Sequence, residues 1–173
     1  MKSRLLPLIA ALLMLTATAC AQHTIPAPIP HSITTWVAVD SLAKTDLVTG
    51  ARMGFGGLKP SPWYHYYEII RQQATTRELI EFTKHRNYVV RCYAFVALLD
   101  RDLFSVYPIL NYYREDETVV IYNMGCLNHS FRFRDFLIIA ALHFNKLTPK
   151  EAEYVRRLLP KDFNPHMIPL GLF

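Results

Sequence analysis

The chain has 173 residues, with 19 Lys and Arg against 14 Asp and Glu, which gives a formal net charge of +5. Its ten Tyr, ten Phe and two Trp indicate a core built on large rings and exclude a disordered chain. The length corresponds to one domain that is large enough to bury a core of its own.

The N-terminus has the order of residues found in a secretory signal peptide. Lys2 and Arg4 form a basic start, an apolar run follows over residues 5–15, and small residues lead to Cys20. The apolar run is too short to span a bilayer, which takes about 20 residues. The sequence therefore predicts that residues 1–19 are a signal peptide that is removed on export.

Cys20 allows two interpretations of the cleavage site. Its position directly after small residues resembles a bacterial lipobox, although Ala17 stands where Leu is commonest. The resemblance implies that Cys20 is lipidated and that acyl chains anchor the protein to a membrane of the bacterial cell envelope. Residues 17–19 also suit ordinary signal peptidase, and the protein would then be periplasmic or secreted.

A Pro-rich segment follows the cysteine. Pro26, Pro28 and Pro30 alternate with small and apolar residues, a pattern that favours an extended conformation and prevents a helix. We therefore interpret residues 20–33 as a lipid-anchor cysteine with a Pro-rich tether, and residues 34–173 as the folded domain.

Apolar residues at helical spacing predict that this domain is built from short helices. The predicted helices cover residues 34–48, 62–73, 76–84, 87–100, 102–113, 131–145 and 149–159. The Gly-rich stretch 49–57 is predicted to be a loop, because it lacks the strand, G-x-G-x-x-G and helix order of a phosphate-binding turn. The β-branched run 119–126 is either a truncated helix or a strand-like link.

A weak internal repeat spans residues 75–120, where Leu79-Ile80 aligns with Pro108-Ile109. Within it, residues 90–98 begin with Val-Arg and continue with spaced Ala and Leu, and they resemble the second helix of a HEAT-type repeat. The resemblance implies right-handed stacking of helix pairs and an interaction surface, and it implies no catalytic residue. The predicted fold class is therefore all-α, a short right-handed α-solenoid or HEAT-like helical bundle.

Cys126 and His129 are the candidates for nucleophilic catalysis. A thiolate activated by a nearby imidazole would make a hydrolase-like enzyme, provided that a third group orients the imidazole. No sequence signature of a cysteine hydrolase surrounds Cys126, so a structural loop cysteine is the competing interpretation.

His65 and Glu68 are the candidates for a metal site. They stand three residues apart on one predicted helix, so both could reach one ion. Zinc needs three or four ligands, and no further His or Cys pattern completes the set. The competing interpretation is a surface pair on the helix, and we predict no cofactor.

Cys92 and Cys126 are the two cysteines that follow Cys20. Export would permit a disulfide between them. Both could equally be small apolar side chains, and the spacing in the sequence does not decide between these alternatives.

These features favour a binding or scaffolding module over an enzyme. Its partner would be an unknown protein, held through aromatic anchors on a face or groove rich in Tyr and Phe. Removal of residues 1–19 takes away two cations and no acid, so the net charge falls to +5 − 2 = +3. This small charge and the exported location argue against nucleic acid as a partner.

Overall fold

A computed structural model describes residues 33–57, 59–144, 147–159 and Phe163. The predicted signal peptide, Cys20 and the tether up to residue 32 lie outside the described residues. Among the helices that are described, none is both long enough and apolar enough to cross a membrane.

The described part of the chain contains seven α-helices and a four-stranded sheet. In chain order the elements are α1 (Ile33–Leu42), β1 (Val48–Met53), a 3-10 turn (Phe55–Gly57), β2 (Lys59–Pro60), α2 (Pro62–Gln73), α3 (Thr76–Phe82), α4 (Tyr88–Arg101), α5 (Leu103–Tyr112), β3 (Val119–Gly125), β4 (Leu127–Arg132), α6 (Phe133–His143) and α7 (Pro149–Arg157). The fold is mixed α/β, and the prediction of an all-α, right-handed HEAT-like solenoid is wrong.

The solenoid prediction fails where a second helix pair should begin. The pair α3 and α4 lies in the predicted place, but the chain after α5 enters the β3–β4 hairpin. Val119, Val120, Ile121 and Tyr122 are residue types that favour a pleated, half-buried strand. The strand-like alternative for residues 119–126 is therefore the correct one.

The sheet has the strand order β2-β1-β3-β4. Strands β1 and β3 are parallel, with Val48 opposite Tyr122, while β3 and β4 are antiparallel, with Met124 opposite Leu127. The two-residue turn between β3 and β4 begins at Gly125, whose φ of 65° is the conformation that the first position of a type II′ turn requires. In the sequence, most of the segment between β1 and β3 consists of the four helices α2 to α5.

The helix starts agree with the capping signals in the sequence. Ser61 accepts a hydrogen bond from the backbone N–H of Tyr64 at 3.2 Å, and Pro62 occupies the first turn of α2. Thr75 with Glu78, and Thr148 with Glu151, form complete capping boxes at α3 and α7. These local bonds satisfy N–H groups that no helical partner can reach.

Helix α4 is the centre of the core. Every residue from 92 to 99 is buried, and the helix packs against α2, α3, α5 and α6. Polar groups on such a helix need partners inside the protein, because an unpaired buried polar group is costly. Arg91 and Tyr93 find such partners in different ways.

Tyr93 joins α4 to strand β1 through its hydroxyl group. The hydroxyl accepts a hydrogen bond from the backbone N–H of Thr49 and donates one to the carbonyl of Thr49, each at 2.9 Å. Strand β2 pairs only with Arg52 and Met53, so the Tyr93 hydroxyl takes the place of a neighbouring strand beside Thr49. Burial raises the pKa of Tyr93 to about 12, although its bonds with Thr49 favour the charged form.

Arg91 joins α4 to the start of the hairpin. Its guanidinium forms an ion pair with Asp116 at 2.8 Å and lies over the ring of Phe133, 4.0 Å from the ring centroid. Burial by itself would raise the pKa of Asp116, but hydrogen bonds from Thr118 and Arg91 lower it below its usual value. Asp116 therefore stays ionised and keeps the buried guanidinium paired, as an expensive buried charge requires.

We predict that Tyr93→Phe lowers the free energy of unfolding. The substitution leaves the buried N–H and C=O of Thr49 without their partner, which costs about 1–3 kcal/mol. Urea titration followed by circular dichroism measures the loss. The control is Tyr112→Phe, on a side chain that is 77% exposed and should change stability by less than about 0.5 kcal/mol. Equal stability of the two variants would contradict the role of the Tyr93 hydroxyl.

Candidate functional site: a tyrosine groove

Cys126 and His129 occupy different parts of the β3–β4 hairpin. Cys126 lies in the exposed turn, whereas His129 lies in β4 opposite Tyr122, with its ring stacked on that of Phe131. The Nε2 atom of His129 is buried and has no hydrogen-bond partner among the described residues. The imidazole is therefore not joined to the Cys126 thiol through this nitrogen, as an activated nucleophile would require.

His65 and Glu68 both lie on α2, but Glu68 is engaged by another side chain. Arg71 donates to both carboxylate oxygens of Glu68, at 3.1 and 2.7 Å. These hydrogen bonds outweigh burial and lower the pKa of Glu68 below its usual value. Arg71 also bonds to Asp100 at 3.2 Å, so Glu68 belongs to an ion-pair network that links α2 to α4.

A metal ion needs several ligands within a few ångströms. Nowhere in the described ranges do three or more His, Cys, Asp or Glu side chains come together in such a group. His65 is exposed on α2, and its ring lies 5.7 Å from that of Tyr66. The structure thus brings His65 no third partner from the described residues.

Cys92 and Cys126 are both free thiols in the structure. Cys92 is fully buried in α4, and Cys126 is exposed in the hairpin turn. Burial raises the pKa of Cys92 well above its usual value, so this thiol stays neutral. The disulfide considered from the sequence is not formed in this arrangement.

Two tyrosine rings on separate helices form a groove at the surface. Tyr107 of α5 and Tyr154 of α7 meet edge to face, with ring centroids 5.9 Å apart and planes at 76°. The cavity beside them has a volume of about 330 Å³ and is lined by Tyr107, Lys150, Glu151 and Tyr154. We call these four residues the tyrosine groove. The buried Val155 places α7 so that Tyr154, which is 46% exposed, faces α5.

The polar groups of the tyrosine groove have structural roles and are poorly suited to catalysis. The Glu151 carboxylate accepts hydrogen bonds from the backbone N–H and the hydroxyl of Thr148, each at 2.7 Å, in the capping box of α7. These bonds lower the pKa of Glu151 below its usual value. Burial, and then the neighbouring Glu151 carboxylate, raise the pKa of Tyr107 to about 12, so this phenol is neutral at physiological pH.

The arrangement suits burial of one apolar or aromatic side chain. A volume of about 330 Å³ is at the lower end of ligand cavities, which run from about 300 to 1,000 Å³. A ring placed beside Tyr107 and Tyr154 would gain about 0.5–1.5 kcal/mol per ring pair beyond its burial. The sequence did not indicate Tyr107 and Tyr154 as a pair, because no spacing rule relates residues on two helices that are distant in the chain.

Comparison of the chain with protein-family models, curated proteins and solved structures found no match to any of them. The candidate site therefore rests on the geometry described above.

We predict that the two thiols react at very different rates in the unlipidated Cys20→Ala protein. Cys126 is exposed and should react with a thiol reagent such as DTNB in the native protein, whereas the buried Cys92 should react only in denaturant. Counting reacted thiols by absorbance, without reductant, checks this. Absence of reactive thiols in denaturant would show that Cys92 and Cys126 form a disulfide after all.

Proposed function

We propose that this protein is an exported, lipid-anchored and non-catalytic binding module of the bacterial cell envelope. It binds a protein partner by taking one of the partner's aromatic or aliphatic side chains into the tyrosine groove. The observation that carries this proposal is the pair of rings, Tyr107 and Tyr154, meeting at 5.9 Å beside an open cavity of about 330 Å³.

The chemistry of the groove favours binding over catalysis. Its carboxylate is held by the capping box at Thr148, and its buried phenol is neutral. What remains at the surface is the face of Tyr154 and the cation of Lys150, which suit an apolar anchor with an acidic neighbour. Tyrosine is a residue type that often dominates protein interfaces, because a rigid ring buries much area at little cost in entropy.

The proposed location follows from the N-terminal sequence. Residues 1–19 have the pattern of a signal peptide, and Cys20 follows small residues as in a lipobox. The predicted Pro-rich tether, within residues 20–33, leads from Cys20 to α1, which begins at Ile33. A lipidated Cys20 would thus hold the domain close to a membrane surface.

We expect Cys20→Ala to release the protein from membranes that are washed at high salt, which weakens any remaining attraction between cations and anionic lipid. Two acyl chains are enough for stable anchoring, and their loss removes the strongest membrane attachment that we propose. Fractionation of cells followed by immunoblotting measures the partition between membrane and soluble fractions. Unchanged recovery in the membrane fraction would contradict lipidation at Cys20.

The groove is tested by comparing two tyrosine variants. Tyr154→Ala should weaken capture of the partner by about tenfold or more. The reason is that truncation of a hot-spot residue in an interface costs about 2 kcal/mol or more of binding free energy. Tyr112→Ala is the matched control, since Tyr112 is a more exposed tyrosine outside the groove. The lipidated wild type and both variants serve as bait for proteins from solubilised membranes, with quantitative mass spectrometry of the bound fraction.

The comparison gives a clear decision. A partner that binds the wild type and Tyr112→Ala but is lost with Tyr154→Ala supports the groove. A partner that binds all three proteins equally, or is lost equally with both variants, contradicts it. Circular dichroism of the variants confirms that α7 is intact before the capture is interpreted.

A further inference from the structure

One end of the sheet presents two adjoining turns to solvent. The turn at residues 53–57 lies against the hairpin turn at residues 124–127, and the backbone N–H of Gly54 donates to the carbonyl of Gly125 at 2.7 Å. We call these two segments the sheet tip. Phe55 is 83% exposed and Leu127 is 57% exposed, so each turn carries one large apolar side chain that the fold does not bury.

The sheet tip is built so that these side chains point outward. Gly54 and Gly56 have φ values of 81° and 62°, which allow the chain to reverse on either side of Phe55. A Cβ atom on Gly125 would lie 3.4 Å from the carbonyl oxygen of Gly54, so glycine permits the close approach of the two turns. Phe55 is therefore held in an exposed position by a turn that has its own backbone hydrogen bonds.

The charged residues of the two stretches of sequence that contain the sheet tip are cations. Residues 47–67 and residues 118–134 contain no Asp or Glu, although the whole chain has 14. Arg52 and Lys59 are exposed on β1 and β2 next to the turn, and the stem of Lys59 lies along Gly54. The two apolar side chains thus stand in a surface with cations and no acidic residue in either segment.

We propose that the sheet tip inserts Phe55 and Leu127 into the surface of an anionic lipid bilayer, with Arg52 and Lys59 near the lipid headgroups. Apolar side chains gain by entering the boundary of the acyl region, and each nearby cation is attracted to anionic lipid. This inference deepens the proposed function and rests on it in one respect: the lipid on Cys20 keeps the domain beside the bilayer.

The anchor determines how strong the insertion needs to be. Once Cys20 is held in the bilayer, the tip meets the membrane at the high effective concentration set by a short tether. A weak intrinsic affinity then suffices to fix the orientation of the domain. The tyrosine groove, on α5 and α7, belongs to other elements than the sheet tip and is left for the protein partner.

Two features favour lipid over protein as the occupant. The tip offers two side chains on two short turns, whereas a stable protein interface takes about 800 Å² from each partner. Cations beside exposed apolar residues, without acids in the same segments, complement an anionic lipid surface. A second protein remains as an alternative outcome that the experiment below detects.

The test uses the mature protein, residues 20–173 with Cys20→Ala, so that neither the signal peptide nor an acyl chain contributes to lipid binding. We expect this protein to sediment with vesicles that contain phosphatidylglycerol and to bind vesicles of pure phosphatidylcholine more weakly. Phe55→Ser should reduce binding by about tenfold or more, since burial of a large apolar side chain has this effect. Lys59→Glu should reduce binding to anionic vesicles only, by about tenfold, because it replaces an attractive charge with a repulsive one.

Matched variants control for general surface changes. Tyr112→Ser removes an aromatic side chain of similar exposure outside the tip, and Lys44→Glu reverses an exposed cation at the far end of β1. Both should bind vesicles as the parent protein does. Phe55→Trp should show a blue shift of its emission with anionic vesicles and quenching by brominated lipid, beyond the signal of Trp36 and Trp63 in the parent protein.

The outcomes decide between the alternatives. Absence of vesicle binding by the parent, or equal binding by the parent and Phe55→Ser, overturns the proposal. Unchanged vesicle binding together with loss of a captured protein partner in Phe55→Ser would make the tip a protein-binding surface, which also overturns it. Tyr154→Ala should leave vesicle binding intact, so failure of the tyrosine groove and failure of the sheet tip are separate results.

Discussion

The hydroxyl of Tyr93 is the contact on which the arrangement of helices and sheet depends. Strand β1 is buried at Thr49, where no β-strand of the described residues covers the side away from β3, and a buried peptide group without partners is costly. The single phenol supplies a donor and an acceptor to this peptide segment. Because Tyr93 lies in the buried part of helix α4, residues 92–99, this contact fixes the position of the sheet relative to the core.

Arg91 sets a second constraint on the same helix, close to its N-terminus. Its guanidinium is held by Asp116 and the ring of Phe133, which lie just before β3 and just after β4. Tyr93 and Arg91 thus tie α4 to strand β1 and to the base of the β3–β4 hairpin, respectively. With the sheet fixed in this way, the other end of β1 and of the hairpin extends away to form the sheet tip.

Local signals in the sequence predicted the helices well, and long-range pairings were not predictable from it. Caps at Ser61, Thr75 and Thr148 act within one turn, so a single sequence shows them. Strand β1 contains Gly50 and Ala51, which have low strand propensity, and it exists because β3 supplies hydrogen bonds from a distant segment. The rings of Tyr107 and Tyr154 also meet through a long-range contact, the packing of helix α5 against helix α7. Because a single sequence does not show such contacts, the location of the expected Tyr-rich face could not be predicted.

The parallel pairing of β1 with β3 has a consequence for how the protein is made. Val48 pairs with Tyr122, so β1 cannot enter the sheet until the chain has been synthesised, or has left an export channel, as far as β3. Helices α2, α3 and α4 rely on nearby contacts and are expected to form earlier, since local contacts close fastest. Until β3 is available, the edge of β1 that pairs with it has no strand neighbour, and this interval is the stage at which the chain would depend on protection by a chaperone.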